Sequence, residues 1–181
     1  MKYRPASEPL IRRLVPDEMP AYKALRDQTL ADNPEAFTSD AATERRKEPA
    51  SYLPRLGSGG SDGGHFTLGA WLGETTAMQL VGAISCEREP RIKVRHTGHI
   101  TGMMVKSGCS GQGIGRALLI AAIAEAHSAD GLEMLTLSVT ASNLVAIRLY
   151  ESLGFVRYGR LPGAIKVEGR YHTKDQMVLM L

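Results

Sequence analysis

The chain has 181 residues, 43% of them hydrophobic, and a formal net charge of +3 at neutral pH. This size and apolar content predict one folded domain of all 181 residues with a sizeable core, and exclude a disordered chain. The small charge, the scattered basic residues and the short longest apolar run, Ala117 to Ala124, argue against nucleic-acid binding and against a membrane span.

Two isolated cysteines and the N-terminal sequence together predict a cytoplasmic location. Cys86 and Cys109 lack the spacing of metal ligands, and the first residues show no signal-peptide pattern. Cys109 lies beside the glycine-rich segment described below, and we interpret it as a small filling residue and not as a nucleophile.

The first third of the chain predicts a loose start, a short strand and two helical segments. After residues 1–8, a strand is expected at Leu10–Val15 and a helix from Pro16 to Asn33, with acidic residues in its first turn and an apolar stripe. Ser39–Leu56 predicts a more polar helical region that two prolines interrupt. Gly57–Gly64 predicts a flexible loop, either a plain connector or a lid over a substrate.

The middle of the chain alternates strands with a long helix. Strands are predicted at Phe66–Leu72, Met78–Cys86 and Thr97–Val105, and their short connections favour an antiparallel meander. A helix at Ile114–Ala129 and a strand at Leu135–Val139 follow. A strand, a crossover helix and a strand at this spacing predict a parallel pair.

The C-terminal part predicts a capped helix and two further strands. Asn143 is suited to cap a helix at Leu144–Leu153, which Gly154 would end. Strands are expected at Phe155–Arg160 and Gln176–Leu181. The predicted fold class is therefore α/β (α+β), with a mixed central sheet and helices on both of its faces.

A glycine-rich turn between the third strand and the long helix is the feature from which a function can be argued. Gly111, Gly113 and Gly115 alternate between a buried strand end and a strongly helical run. Such a turn directs several free N–H groups to one point, where the helix dipole adds positive charge. The turn therefore predicts an anion site suited to a pyrophosphate.

Three pyrophosphate ligands and a turn without any ligand are the alternatives. A P-loop nucleotide site ends in Gly-Lys-Ser/Thr, whereas this chain has Gly115-Arg116-Ala117. In a dinucleotide site the third glycine comes one residue later, and an acidic residue ends the next strand. Glu133 has roughly the required spacing but precedes that strand. Coenzyme A is the third ligand.

Two motifs resemble those of the GCN5-related N-acetyltransferase (GNAT) family. The glycine turn is similar to the acetyl-CoA motif Gln/Arg-x-x-Gly-x-Gly/Ala, with matches at Gly113 and Gly115 and with Ser110 at the usual Arg/Gln position. The segment Asn143–Phe155 matches the second motif, Asn-x-x-Ala-x-x-x-Tyr-x-x-x-Gly-Phe, at every position. The resemblance covers most of the chain. Near the C-terminus, Thr173 and Lys174 intervene where a common subgroup of the family continues directly into Asp-Glu.

This resemblance implies the GNAT fold, in which the sheet splays open after the strand that ends at Val105 and acetyl-CoA lies in the gap. Glycine-turn amides would hold the pyrophosphate, the strand end would pair with the pantetheine arm, and a bulge amide would stabilise the oxyanion. The implied cofactor-binding residues are Met103, Met104, Val105, Ser110, Gly111, Gln112, Gly113, Ile114, Gly115, Arg116, Asn143 and Tyr150. Tyr150 would also be catalytic, protonating the departing thiolate. Structural alternatives are a plain helix cap for Asn143 and a core aromatic residue for Tyr150.

The acceptor amine must lose a proton, and His99 is the predicted base. It stands where many relatives carry a glutamate, six residues before Val105. Histidine commonly changes protonation near neutral pH and can act directly or through water. The alternative is a hydrogen-bonded strand histidine, and Glu44, Glu87 and His96 are weaker candidates.

We therefore expect an acetyl-CoA-dependent N-acetyltransferase that transfers acetyl by direct attack in a ternary complex, without a metal. The acceptor is a small-molecule amine or a peptide or protein amine, in a pocket expected from the N-terminal helices, Gly57–Gly64 and Leu161–Lys174. A homodimer is possible by analogy. The alternatives are a non-catalytic acyl-CoA-binding protein on the same fold and a nucleotide-binding module.

Overall fold

Seven strands form one mixed sheet in the computed structural model, which describes residues 8–57, 63–74 and 77–181. The strands lie in the order β1-β2-β3-β4-β5-β7-β6. They are β1 (Leu10–Arg13), β2 (Phe66–Leu72), β3 (Gln79–Arg88), β4 (Thr97–Val105), β5 (Met134–Thr140), β6 (Val156–Val167) and β7 (Arg170–Met180). The predicted loose start and most of the Gly57–Gly64 loop fall outside the described residues.

Helices cover both faces of the sheet, as predicted. The helices are α1 (Met19–Asp32), α2 (Ala41–Arg45), α3 (Ile114–His127) and α4 (Leu144–Ser152), with 3-10 turns at Pro16–Glu18, Pro49–Leu56, Ile92–Val94 and Ser107–Cys109. Consecutive residues of β3 lie on opposite faces of the sheet, since Ala83 packs with α1 and Ile84 packs with α3. We call these the α1 face and the α3 face. In the described part of the chain, no helix is long and apolar enough to span a membrane.

The sheet opens between β4 and β5, as the family resemblance implied. The two strands are parallel and pair only at Thr97–His99 with Met134–Thr136. β4 then continues to Val105 beside β3, while β5 continues to Thr140 beside β7. The two strand ends therefore form the walls of a gap in the middle of the sheet.

A bulge distorts β4 where it enters this gap. Ala83 of β3 pairs with Met104 of β4, and Ser85 pairs with Thr101. One residue of β3 lies between these two pairs but two residues of β4 do, so β4 carries one extra residue. Gly102 has φ +57°, a left-handed conformation that L side chains rarely adopt. The bulge turns the backbone at Gly102 and Met103 out of the regular ladder.

Sequence and structure agree on most elements and differ at the C-terminal hairpin. β2 and β4 have the predicted bounds, whereas the predicted ends of the last two strands were wrong, because β6 and β7 are much longer. Gly159, Pro162 and Gly163 interrupt the strand pattern in sequence. β6 tolerates them because it is an edge strand, with register shifts that include Leu161–Ile165.

The N-terminal segments are shorter than predicted. β1 ends at Arg13, and Pro16–Glu18 forms a 3-10 turn before α1 begins. The predicted polar helical region divides into α2 and a 3-10 segment that begins at Pro49. The division follows from proline, which lacks the N–H needed to continue an α-helix.

Candidate functional site

A cleft of about 530 Å³ occupies the gap between β4 and β5. It is lined by the β4 bulge, the glycine turn, the end of β5, one face of α4, the loop after α1, and Lys174 from β7. All of the predicted cofactor-binding residues except Gln112 line this cleft. The Gln112 side chain is exposed, and its Nε2 donates to the Gly108 carbonyl over 3.4 Å.

The glycine turn at one end of the cleft has the backbone of an anion site. Gly111 and Gly113 have φ of +77° and +79°, and α3 begins directly afterwards at Ile114. A Cβ built at either glycine would meet no atom within 4 Å, so a ligand can approach this backbone closely. Since the first N–H groups of a helix lack partners within it, Ile114–Arg116 offer three donors there.

Asn143, the N-cap of α4, and Tyr150 within α4 both line the cleft, and each side chain also makes a contact that supports the fold. Asn143 caps the helix, because its Oδ1 accepts from the Ala146 amide at 3.1 Å. The Tyr150 ring packs edge-on against Phe155, with ring centroids 5.9 Å apart. The Tyr150 hydroxyl donates to Met103 Sδ at 3.4 Å, which is a weak acceptor.

Burial controls the protonation of Tyr150. The residue is only 7% exposed, and this desolvation raises its pKa to about 12. The hydroxyl therefore keeps its proton at every ordinary pH and can donate it to a strong base formed beside it.

A small chamber on the α1 face adjoins the bulge. Thr101 of β4 and Ser138 of β5 lie two positions beyond the last pair, His99 and Thr136, and so face each other across the opening. Phe37 and Thr38 from the loop after α1, and Lys174 from β7, also line this part of the cleft. These side chains could contact a second substrate beside the bulge.

His99 lies on the same face but is not among the residues that line the cleft. Its Nδ1 is 2.6 Å from Thr136 Oγ1 and its Nε2 is 3.1 Å from Glu89 Oε1. Glu87, its neighbour on β3, accepts from the Thr101 hydroxyl at 3.1 Å. Thr101 does line the cleft, so Glu87 is one hydrogen bond away from it.

A second cavity of about 340 Å³ lies on the α1 face and contains a buried ion pair. Arg26 Nε and the Tyr52 hydroxyl each donate to Glu44 Oε2 at 2.8 Å, and Lys47 binds the other carboxylate oxygen. Burial opposes ionisation of Glu44, but the hydrogen bonds from Lys47, Arg26 and Tyr52 outweigh it and lower its pKa to about 2. Glu44 is therefore a poor base at neutral pH.

Sequence reasoning missed Ser138 and the loop residues Phe37 and Thr38 as part of the cleft. Lys174 was included only as the end of a long segment assigned to the acceptor pocket. No local signal marked its position, because the residues around Lys174 are polar and both Lys174 and Asp175 are buried in β7.

The comparisons with known proteins point to one family. Residues 22–155 match the Acetyltransferase (GNAT) family. A mycothiol acetyltransferase from Salinispora arenicola is 32% identical over 144 residues, which are 76% of this chain and 41% of that protein. The chain thus spans about two fifths of the length of such relatives. N-alpha-acetyltransferase 30 of Saccharomyces cerevisiae is 32% identical over 81 residues, which are 45% of this chain and 46% of that protein.

Solved structures share the fold along almost the whole chain. A GNAT-family acetyltransferase from Streptococcus pneumoniae superimposes with a TM-score of 0.82 at 24% identity, covering 96% of this chain and 100% of that one. A ribosomal-protein-alanine N-acetyltransferase from Brucella melitensis has a TM-score of 0.75 at 26% identity, over 95% and 99%. The structure of yncA from Salmonella typhimurium, solved with its cofactor acetyl-CoA, has a TM-score of 0.76 at 23% identity, over 97% and 95%.

Proposed function

Because the chain belongs to the GNAT acetyltransferase family, we propose that it transfers an acetyl group from acetyl-CoA directly to a primary amine bound in the same cleft. One observation carries this proposal. The gap between β4 and β5 leads from a glycine turn suited to a pyrophosphate, past a buried tyrosine, to a polar chamber. A single cleft can therefore hold both substrates at once.

The residues present fit acetyl-CoA as the donor. Backbone amides of Gly111–Arg116 would bind the pyrophosphate. The free edge of Met103–Val105 would pair with the pantetheine arm as an added strand does, and Asn143 would contact the same arm while it caps α4. When bound, acetyl-CoA supplies an activated thioester.

The chemistry that we propose needs three groups of the protein. The amine nitrogen attacks the thioester carbon, and the bulge amide near Met103 stabilises the negative charge on the carbonyl oxygen. The carbon–sulfur bond then breaks as Tyr150 donates its proton to the leaving thiolate. The proton lost by the amine leaves through a base, and the acetyl group is never attached to the protein.

We propose that His99 is the base and that it takes the proton from the amine through a water molecule. Its ring nitrogens contact Thr136 and Glu89 outside the cleft lining, so a water beside Thr136 would relay the proton. Glu87, which contacts Thr101, is the alternative. The single-domain organisation, the cytoplasmic location and a homodimer also stay predictions.

Acetyl transfer to a panel of amines tests the proposed function. We expect equal amounts of acetylated amine and free CoA, measured by mass spectrometry and by a thiol assay. His99→Ala should turn over more slowly than wild type, and an unchanged rate would exclude His99. CoA binding without product from any amine would favour the non-catalytic acyl-CoA-binding alternative.

A further inference from the structure

Lys174 is a buried cation without a carboxylate partner in the part of the chain that the structure describes. It is 7% exposed, and its Nζ donates to Ser138 Oγ at 3.4 Å. The next residue is a useful contrast, because Asp175 is also buried but its carboxylate binds Arg157 and Arg160. Buried charges in proteins are normally paired, so Lys174 is an exception that needs an explanation.

The strand register directs Lys174 towards the chamber and not towards the core. Lys174 pairs with Thr140 of β5, while Asp175 pairs with Val139, which packs on the α3 face. Lys174 therefore lies on the α1 face. Its contact with Ser138 brings the ammonium group level with Thr101, beyond the bulge as seen from the glycine turn.

No carboxylate among the described residues that line the cleft can pair with this ammonium group. Among the described residues that line the cleft, Cys109, Arg116, Tyr150 and Lys174 are ionisable, and none is a carboxylate. Arg116 lies at the glycine turn, at the pyrophosphate end. Glu87, on the same face as Lys174, is already bound to Arg55 and Thr101. Burial lowers the pKa of Lys174, as expected for an ammonium group without a counterion.

We propose that Lys174 and the Ser138 hydroxyl bind a carboxylate of the acceptor, so that the acceptor is a free amino carboxylate. This inference rests on the proposed function. A carboxylate matches one ammonium and one hydroxyl donor, whereas a phosphate dianion calls for more donors than Lys174 and Ser138 supply. In a peptide or protein the carboxylate next to the N-terminal amine is consumed in the peptide bond, so such acceptors would leave Lys174 unpaired.

Matched acceptors measure the role of Lys174 directly. The probes are the common amino acids and their carboxamides, each at a range of concentrations with saturating acetyl-CoA. For wild type, kcat/KM should favour the acid over its amide by about 10- to 100-fold, the effect of one charge-assisted hydrogen bond. Lys174→Gln should reduce this preference to less than about threefold through a higher KM for the acid. Lys174→Arg should keep part of it.

Two controls separate recognition from folding and from a general loss of charge. Lys93→Gln makes the same charge change at an exposed position and should leave the preference unchanged. Without ligands, Lys174→Met should have the same Tm as wild type or a higher one, because it removes an unpaired buried charge. A lysine required for folding would give a lower Tm.

A binding readout keeps the inference separate from catalysis. With CoA present, an amino acid that binds should raise the Tm of wild type more than its carboxamide does, and this difference should vanish in Lys174→Gln. If no amine is acetylated, the proposed function fails while this readout still decides the role of Lys174. Equal preference for acids and amides in wild type, or the same preference in Lys174→Gln, would overturn the inference.

Discussion

Tyr150→Phe is expected to lower kcat by about 10²- to 10⁴-fold, the usual effect of removing a general acid. The hydroxyl is buried in the cleft beside Met103, and its pKa of about 12 keeps it protonated. Phenylalanine keeps the ring that packs against Phe155 and loses only the proton donor. The leaving thiolate would then have to depart without the proton that we assign to this residue.

The kinetic parameters separate this role from a structural one. Because the one hydrogen bond that the described residues form with this hydroxyl is a weak one to sulfur, the affinity for acetyl-CoA should change by less than about threefold. The raised pKa of about 12 also predicts that Tyr150 causes no fall in rate on the alkaline side until the pH comes within about one unit of that value. Tyr158→Phe, the same change at a side chain that is 61% exposed, is the control. An unchanged kcat would remove Tyr150 from the mechanism.

Glu44→Gln should lower the free energy of unfolding by about 3–5 kcal/mol, the typical cost of removing one partner from a buried ion pair. Glu44 and Arg26 are 4% and 3% exposed. Glutamine keeps the shape of the side chain but leaves the Arg26 guanidinium without a counterion. The loss should appear in urea unfolding at neutral pH.

The pH dependence of this loss has a defined sign. Because folding lowers the pKa of Glu44 from 4.5 to about 2, its ionised form stabilises the folded protein above about pH 4.5. Since one pKa unit corresponds to about 1.4 kcal/mol, this shift stabilises the folded protein by about 3 kcal/mol. The stabilisation disappears as the pH falls towards 2. The difference between wild type and Glu44→Gln should therefore shrink over this range.

An exposed neighbour provides the control for the Glu44 experiment. Glu48→Gln makes the same change at an exposed position four residues later and should alter stability by less than about 0.5 kcal/mol. Equal effects of the two substitutions, or a difference at Glu44 that does not vary with pH, would contradict the buried ion pair.

Local patterns were enough to predict the backbone of the glycine turn and the two residues of the α4 segment that line the cleft. The glycines at 111 and 113 have the positive φ that the turn requires, and Asn143 caps α4 as its sequence suggests. The seven-residue spacing of Asn143 and Tyr150 places both on one helix face, which lines the cleft. Each of these features depends on neighbouring residues along the chain, so the sequence alone reveals it.

The chamber on the α1 face and the buried ion pair of Glu44 depend on contacts between distant residues and could not be predicted in the same way. Lys174 meets Ser138 from a strand 36 positions later, and Arg26 meets Glu44 across 18 positions. The ends of β6 were missed because its glycines and Pro162 are tolerated only at a sheet edge, which is a property of the whole topology. The contacts of His99 with Thr136 and Glu89 also follow from strand pairing.

Thermal stabilisation by acetyl-CoA tests the central claim most directly, with Gly113→Ala and Gly169→Ala as a matched pair. Both glycines have φ near +80° with open space for a Cβ, so the two substitutions impose a similar backbone strain. Gly169 lies in the β6–β7 turn and does not line the cleft, so Gly169→Ala is the control.

At 100 times its dissociation constant, acetyl-CoA should stabilise wild type and Gly169→Ala by about 2.7 kcal/mol. Gly113→Ala should need at least about tenfold more ligand, since the strain and the added methyl group disturb the pyrophosphate contacts. CoA should act like acetyl-CoA, and ATP and NAD should have no effect. No stabilisation by either acetyl-CoA or CoA, or an equal effect of ATP or NAD, would contradict the assignment of this cleft.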